Sequence, residues 1–233
     1  MKQRHISNEL THFVGRHLLG NEDAQYDALV KILTSGLLKT GGLQAGEEPQ
    51  EGMVSTRFAL SRRLSDSEGL IQPRVVCFCD IPLPDVQLHM EKYGRFGIAF
   101  RKEFLIGKGA APVFYVPRGV VLFQRTRVEH LDELGEELKK KWTRELKDPT
   151  KATRHEMTIA ERFLEDIVLT YLKTFDETKP EDAPDNYYME REWRTRTSIR
   201  FTLDDVHRLI LPAAYKTRLR QNVPGYMGQT TFV

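Results

Sequence analysis

Along this chain, three groups of residues have the types that nucleotide chemistry uses, and they occur in a definite order. His12 sits in the apolar run Leu10–Val14, Phe78 and Tyr93 lie mid-chain, and Glu190 and Glu192 flank Arg191 near the end. Cleaving the bond between nicotinamide and ribose in NAD develops positive charge on the sugar. A carboxylate beside that sugar stabilises the charge and can hold a ribose hydroxyl. Aromatic rings grip the flat nicotinamide, and a histidine can bond the adenosine ribose. Two residues apart on a strand, Glu190 and Glu192 would share a face, and Arg191 and Arg194 would keep such carboxylates ionised. Each of these residues also has a plainer reading. A lone histidine on an apolar strand is more often a satisfied core or rim residue, and a tyrosine at a helix end more often packs than stacks. Alternating charges near position 190 also fit an exposed strand, and spacing alone favours that reading.

The elements that must position these residues follow from periodicity and punctuation. Glu9 to Gly15 reads as a first strand. Tyr26, Leu29, Val30 and Leu33 follow helical spacing from about Ala24 to Ser35, with Asp23 as a candidate cap and Gly36 where a C′ glycine belongs. Residues 40–69, rich in Gly, Glu and Ser, read as a long loop. Arg74 to Cys79 reads as a buried strand, followed from Pro82 or Pro84 by a helix carrying Val86, Met90 and Tyr93. Residues 96–100 and 112–116 are further strands, with a turn at Gly107-Lys108-Gly109 that lacks the spacing of a phosphate loop. From Glu129 to Phe175 the pattern becomes that of two charged amphipathic helices, a hairpin inserted between halves of a sheet. Glu190 to Ser198 reads as an exposed strand and Arg208 to Leu211 as a buried one. The segment from Gln221 onward reads as irregular.

Composition bounds the rest. The 233 residues, 40% hydrophobic and 29% charged, suffice for one domain with a helical insert. A net charge of +2, from 35 basic and 33 acidic side chains, argues against a strongly electrostatic nucleic-acid binder but leaves room for a local basic patch. No run approaches the roughly 20 apolar residues that span a bilayer. Met1–His5 leads into no signal-type apolar core, so the chain reads as soluble and cytoplasmic. Cys77 and Cys79 read as core residues rather than as redox or metal ligands. Asp80, Asp85 and Glu192 are a weaker set for a metal-dependent nuclease, and no metal is expected. Common hydrolase, zinc-protease and dehydrogenase motifs are missing.

The segments Leu10–Phe13, Val76–Leu83, Tyr93–Phe100, Pro112–Val116 and Glu190–Arg194 together resemble the AbiGi family of abortive-infection phage-resistance proteins, often labelled antitoxins. More remotely, the chain is similar to ADP-ribosyltransferase folds, including the poly(ADP-ribose) polymerase catalytic domain and DarT-type DNA-modifying toxins. Ile32–Leu37 matches their Ile-Leu-x-x-Gly-Leu helix end, and Cys77–Asp80 mirrors a Tyr-Phe-Ala-Asp strand. Phe13 and Cys77 depart from the glycine and tyrosine usual in those enzymes. The resemblance implies an α+β fold with a split mixed or antiparallel sheet, flanking helices and the helical-hairpin insert at about 129–175, in one domain over 1–233. It implies NAD as substrate, His12, Phe78 and Tyr93 as NAD-binding residues and Glu192 as the catalytic carboxylate. One of Arg57, Arg62, Arg63 or Arg74 would contact NAD phosphate or the target. The alternative it implies is a non-catalytic antitoxin that binds a cognate toxin, nucleic acid or a phage component.

Overall fold

A computed structural model describes residues 7–40, 56–58, 71–73, 75–117, 121–122, 125–126, 137, 140, 168, 170–180, 183 and 186–233. The strands in chain order are β1 (Glu9–Phe13), β2 (Leu37–Leu38), β3 (Thr56–Phe58), β4 (Ile71–Pro73), β5 (Val76–Cys79), β6 (Gly97–Arg101), β7 (Ala111–Pro112) and β8 (Phe114–Pro117). They continue with β9 (Val121–Leu122), β10 (Arg125–Thr126), β11 (Leu172–Phe175), β12 (Glu192–Thr195), β13 (Ile199–Arg200), β14 (Val206–Leu211) and β15 (Gln229–Phe232). The helices among the described residues include α1 (Glu22–Ser35), α2 (Gln87–Tyr93), α3 (Lys102–Gly107) and α4 (Lys216–Asn222). The chain is therefore α+β, with a mixed sheet. It divides into two compact units: residues 1–52, 75–112 and 189–233 form the first, and residues 53–74 and 113–188 the second.

The first unit is built on a seven-stranded sheet in the order β15-β14-β6-β1-β5-β12-β7. Its pairings are antiparallel except at one edge, where β15 runs parallel to β14. Directly paired residues share a face, so the register sorts the side chains. Leu10, His12, Phe78, Ile98, Phe100 and Trp193 point to one face, while Thr11, Phe13, Cys79, Ala99, Glu192 and Arg194 point to the other. On the first face, Leu10, Phe78, Ile98 and Phe100 join the hydrophobic core with Tyr26, Leu29 and Leu33 of α1. These helix residues recur at helical spacing, which is why α1 presents one apolar stripe.

α1 starts and stops by local chemistry. Asn21 caps it, its Oδ1 accepting from the Ala24 N–H at 3.0 Å, where Asp23 was the expected cap. Asp23 instead binds Arg218, whose guanidinium lies over the Tyr26 ring at 4.5 Å. The helix ends as its sequence suggests, on Gly36 at φ 60°, with the Gly36 N–H bonded to the Ile32 carbonyl. A Cβ there would lie 2.5 Å from the Phe201 carbonyl oxygen, so the position excludes a side chain on both counts.

Other elements differ from the sequence reading. Residues 102–107 are a helix, α3, and the expected strand 112–116 is two strands in different sheets, β7 and β8. Tyr187–Glu190 is a 3-10 turn, so only Glu192–Thr195 of the expected strand is extended. The C-terminal segment forms a strand, β15, rather than irregular chain. In the second unit, Leu172–Phe175, expected as the end of a helix, pairs in parallel with β8, and Tyr115, Phe175 and Tyr188 form an aromatic cluster. Of the expected helical hairpin, Glu137 and Lys140 are helical and paired at 3.0 Å, and most of the rest lies outside the described residues. Arg62, Arg63 and Arg74 also lie outside them, and Arg57 falls on β3.

The Gly36 geometry makes a prediction. Gly36→Ala should lower stability by about 2 kcal/mol or more, from the left-handed backbone and the clash with Phe201. Urea unfolding measures it, and a change below about 0.5 kcal/mol would contradict the geometry.

Candidate functional site

Arg191 holds φ 43°, the sole positive φ outside glycine among the described residues. This left-handed residue separates the 3-10 turn from β12, and so separates Glu190 from Glu192. An arginine in this conformation stores strain that its surroundings must hold. Asp80, at the end of β5, supplies that hold: its N–H donates to the Arg191 carbonyl at 3.2 Å, and its carboxylate lies 3.5 Å from the Arg191 guanidinium. Lys102 pairs with the same Asp80 carboxylate at 2.7 Å and covers the Trp193 ring at 5.5 Å.

The kink delivers two buried carboxylates to separate partners. Glu190 is 4% and Glu192 5% exposed, a burial that ionised carboxylates tolerate only when well paired. Glu192 accepts a two-pronged fork from Arg194, Nε at 2.7 Å and an Nη at 3.2 Å. Glu190 Oε1 accepts from Lys92 Nζ at 2.6 Å and from the Tyr93 hydroxyl. Tyr93 closes α2, stacks on Phe13 at 6.4 Å and lies 6.1 Å from the buried His89 ring. Arg16 and Lys92 lie over the Tyr93 ring at 5.2 and 5.3 Å. Burial, then the Glu190 charge, pushes the Tyr93 phenol well above its ordinary range, so it stays protonated as a donor. Burial first, and then Glu190 and Asp80, push the Cys79 thiol up as well. Cys79 is therefore inert, whereas Cys77, expected in the core, is exposed.

His12 lies elsewhere. It is on the opposite face of the sheet from Glu192, edge-on to Phe78 at 5.9 Å. Its Nδ1 sits 2.8 Å from the Cys77 carbonyl, which places the proton on Nδ1. Burial lowers its pKa, and the bond to Cys77 offsets only part of that. The four residues picked out in the sequence thus divide two and two. Tyr93 and Glu192 belong to one face, with the field of Glu192 reaching the Tyr93 phenol, while His12 and Phe78 occupy the other. Glu190, left as an alternative by spacing, is the carboxylate that Tyr93 bonds. Lys92, Arg16 and the Asp80 lock had no sequence signal. Among the described residues no group of three or more His, Cys, Asp or Glu side chains is arranged to hold a metal. No described helix is long and apolar enough to cross a membrane.

By fold and site, the chain is an α+β protein with a mixed sheet that buries a network of paired carboxylates. A family model described as "Putative abortive phage resistance protein AbiGi, antitoxin" matches residues 67–222. The chain belongs to the AbiGi family. It is also 45% identical over 47 residues to the abortive phage resistance protein AbiGi of Lactococcus lactis subsp. cremoris, a match covering 18% of this chain and 19% of that relative. The match thus spans about a fifth of the curated relative's length. No solved structure matches.

The His12 environment has a pH consequence. Its folded pKa lies below the usual 6.5, so on acidification the unfolded chain takes up the proton first. The stability this neutral histidine contributes is complete above about pH 6.5 and is lost as pH falls toward its folded value. His207 shifts in the same direction, with burial as the main cause. His12→Gln should therefore flatten, without abolishing, the fall in urea-unfolding free energy between pH 7 and pH 5. An unchanged slope would contradict the lowered pKa of the half-buried His12.

Proposed function

We propose that this chain serves abortive phage resistance as an antitoxin-type partner: a folded surface that binds a cognate toxin rather than a catalyst that turns over NAD. The observation that carries this reading is the engagement of both buried carboxylates. Glu192 lies in the fork of Arg194, and Glu190 is bonded to Lys92 and Tyr93. A carboxylate that must meet a developing sugar cation needs an oxygen facing the substrate. Here the oxygens face the protein's own cations. The antitoxin description of the family points the same way.

A second reading keeps the NAD-dependent ADP-ribosyltransferase. Its support is the placement of Tyr93, Phe13 and two carboxylates on one side of the sheet, with Arg16 beside the Tyr93 ring. On that reading Glu192 is catalytic, Tyr93 grips nicotinamide, and Arg194 swings away when NAD arrives. His12 and Phe78, on the other face, would support the strands and not touch the dinucleotide.

Calorimetric titration of NAD, with nicotinamide release followed in cell extract, separates the two. The partner reading predicts no saturable NAD binding by a cooperatively folding wild type, together with specific co-purification of a growth-arresting toxin. Saturable binding, with release lost in Glu192→Ala and reduced in Tyr93→Phe, would overturn it in favour of the enzyme.

A further inference from the structure

The seven-stranded sheet ends differently at its two edges. β7, at one edge, is two residues long and ends in Pro112. A strand that short, closed by a residue without an N–H, offers no ladder to a newcomer. β15, at the other edge, runs for four residues. An edge strand of this kind carries a row of N–H and C=O groups not used by its own sheet. The Tyr226 hydroxyl donates to the Gln229 carbonyl at 2.5 Å, so the strand is tied at its start.

Beside β15, helix α4 and the turn that follows enclose a cleft of about 570 Å³. Leu219 and Val223 give it a buried apolar wall. Met227 and Phe232, which also line it, are 88% and 40% exposed, two of the few large apolar side chains so exposed among the described residues. Lys216 and Arg220 line the same cleft, and neither pairs with a carboxylate among the described residues, while Arg218 between them is bound to Asp23 and lies 3.5 Å from Asp27. Lys216 sits over the Phe232 ring at 5.4 Å. An edge strand, a cleft with one apolar wall and two cations that meet no carboxylate among the described residues thus lie together.

We propose that this edge docks an extended acidic segment of a partner protein, which adds to β15 as a further strand. One of its apolar side chains enters the cleft against Met227 and Phe232, and its carboxylates meet Lys216 and Arg220. Main-chain bonds to the edge supply affinity, and the slot and cations supply selectivity. A second copy of this chain is the poorer occupant, because it would bring a like-charged Lys216 and Arg220 against the first pair. A nucleic acid is poorer too, since two cations are few against its run of phosphates and the exposed Met227 and Phe232 beside them suit an apolar side chain. The proposal rests on the partner-binding reading and names the surface that reading needs.

The test uses the full chain and a pool of seven-residue synthetic peptides in which Glu or Asp alternates with Val, Ile, Leu or Phe. Fluorescence anisotropy should show saturable binding by members of the pool. Lys216→Glu combined with Arg220→Glu, and separately Met227→Asp, should each weaken it about tenfold or more. Lys31→Glu, on exposed α1 surface, should leave it unchanged. The proposal is overturned if no acidic peptide binds, if a pool with Lys in place of Glu and Asp binds equally, or if a single-stranded oligonucleotide binds more tightly. It is likewise overturned if light scattering shows a dimer that the charge reversals dissolve. Co-purification of the toxin with the same variants separates this proposal from the reading beneath it. Toxin retained by the variants removes the surface and leaves the reading, whereas toxin never retained by wild type removes the reading itself.

Discussion

Ionised carboxylates in a protein interior cost several kcal/mol each unless their geometry repays it, and the first unit of this chain buries Glu190 and Glu192 on either side of one strained arginine. Each is met by a cation held on a rigid element. Arg194 is on the same strand as Glu192, two residues on, and Lys92 is in the last turn of α2. The left-handed Arg191 interrupts the chain between them, so that Glu190 leaves the 3-10 turn toward Lys92 and Tyr93 while Glu192 starts β12 beside Arg194. Asp80 holds that kink from the end of β5. The position of α2, the register of β12 on β5 and the turn at 187–190 all meet at this network.

The same network decides how the residues can be used. On the partner reading, a tyrosine that donates to a buried carboxylate, stacks on Phe13 and is kept protonated by burial serves as a structural donor. A histidine on the far face of the sheet, neutral and bonded to a backbone carbonyl, is a strand-to-strand fastener. Both are among the residue types an NAD site requires, yet each is committed to holding neighbouring elements together. At the other end of the sheet, Lys216 and Arg220, which meet no carboxylate among the described residues, and the exposed Met227 and Phe232 lie beside an edge strand, the surface proposed for recognition.

Part of this was legible in the residues. The apolar spacing of Tyr26, Leu29 and Leu33, closed by Gly36, announces α1 because helix periodicity and a left-handed cap are local properties. Val76–Cys79 announces a central strand for a similar reason. The side to which His12 points was not legible, since it depends on a pairing register with residues more than sixty positions away. Nor was the kink at Arg191, because arginine is not a residue that marks positive φ. β11 and β15 were missed because short strands with polar residues are stabilised by their neighbours and not by propensity. For Glu190 and Glu192, sequence alternation suggested a common exposed face; the structure buries both and gives each its own cation.

The account stands on the claim that these carboxylates serve the fold. A urea-unfolding double-mutant cycle on Glu192→Gln and Arg194→Met tests it most directly, because the cycle isolates the pair from the rest of the sheet. The account predicts that each single variant is clearly destabilised and that the coupling energy exceeds about 1 kcal/mol, as befits two buried residues in one network. A coupling near zero, with Glu192→Gln as stable as wild type, would contradict it and return Glu192 to the role of a carboxylate kept for chemistry.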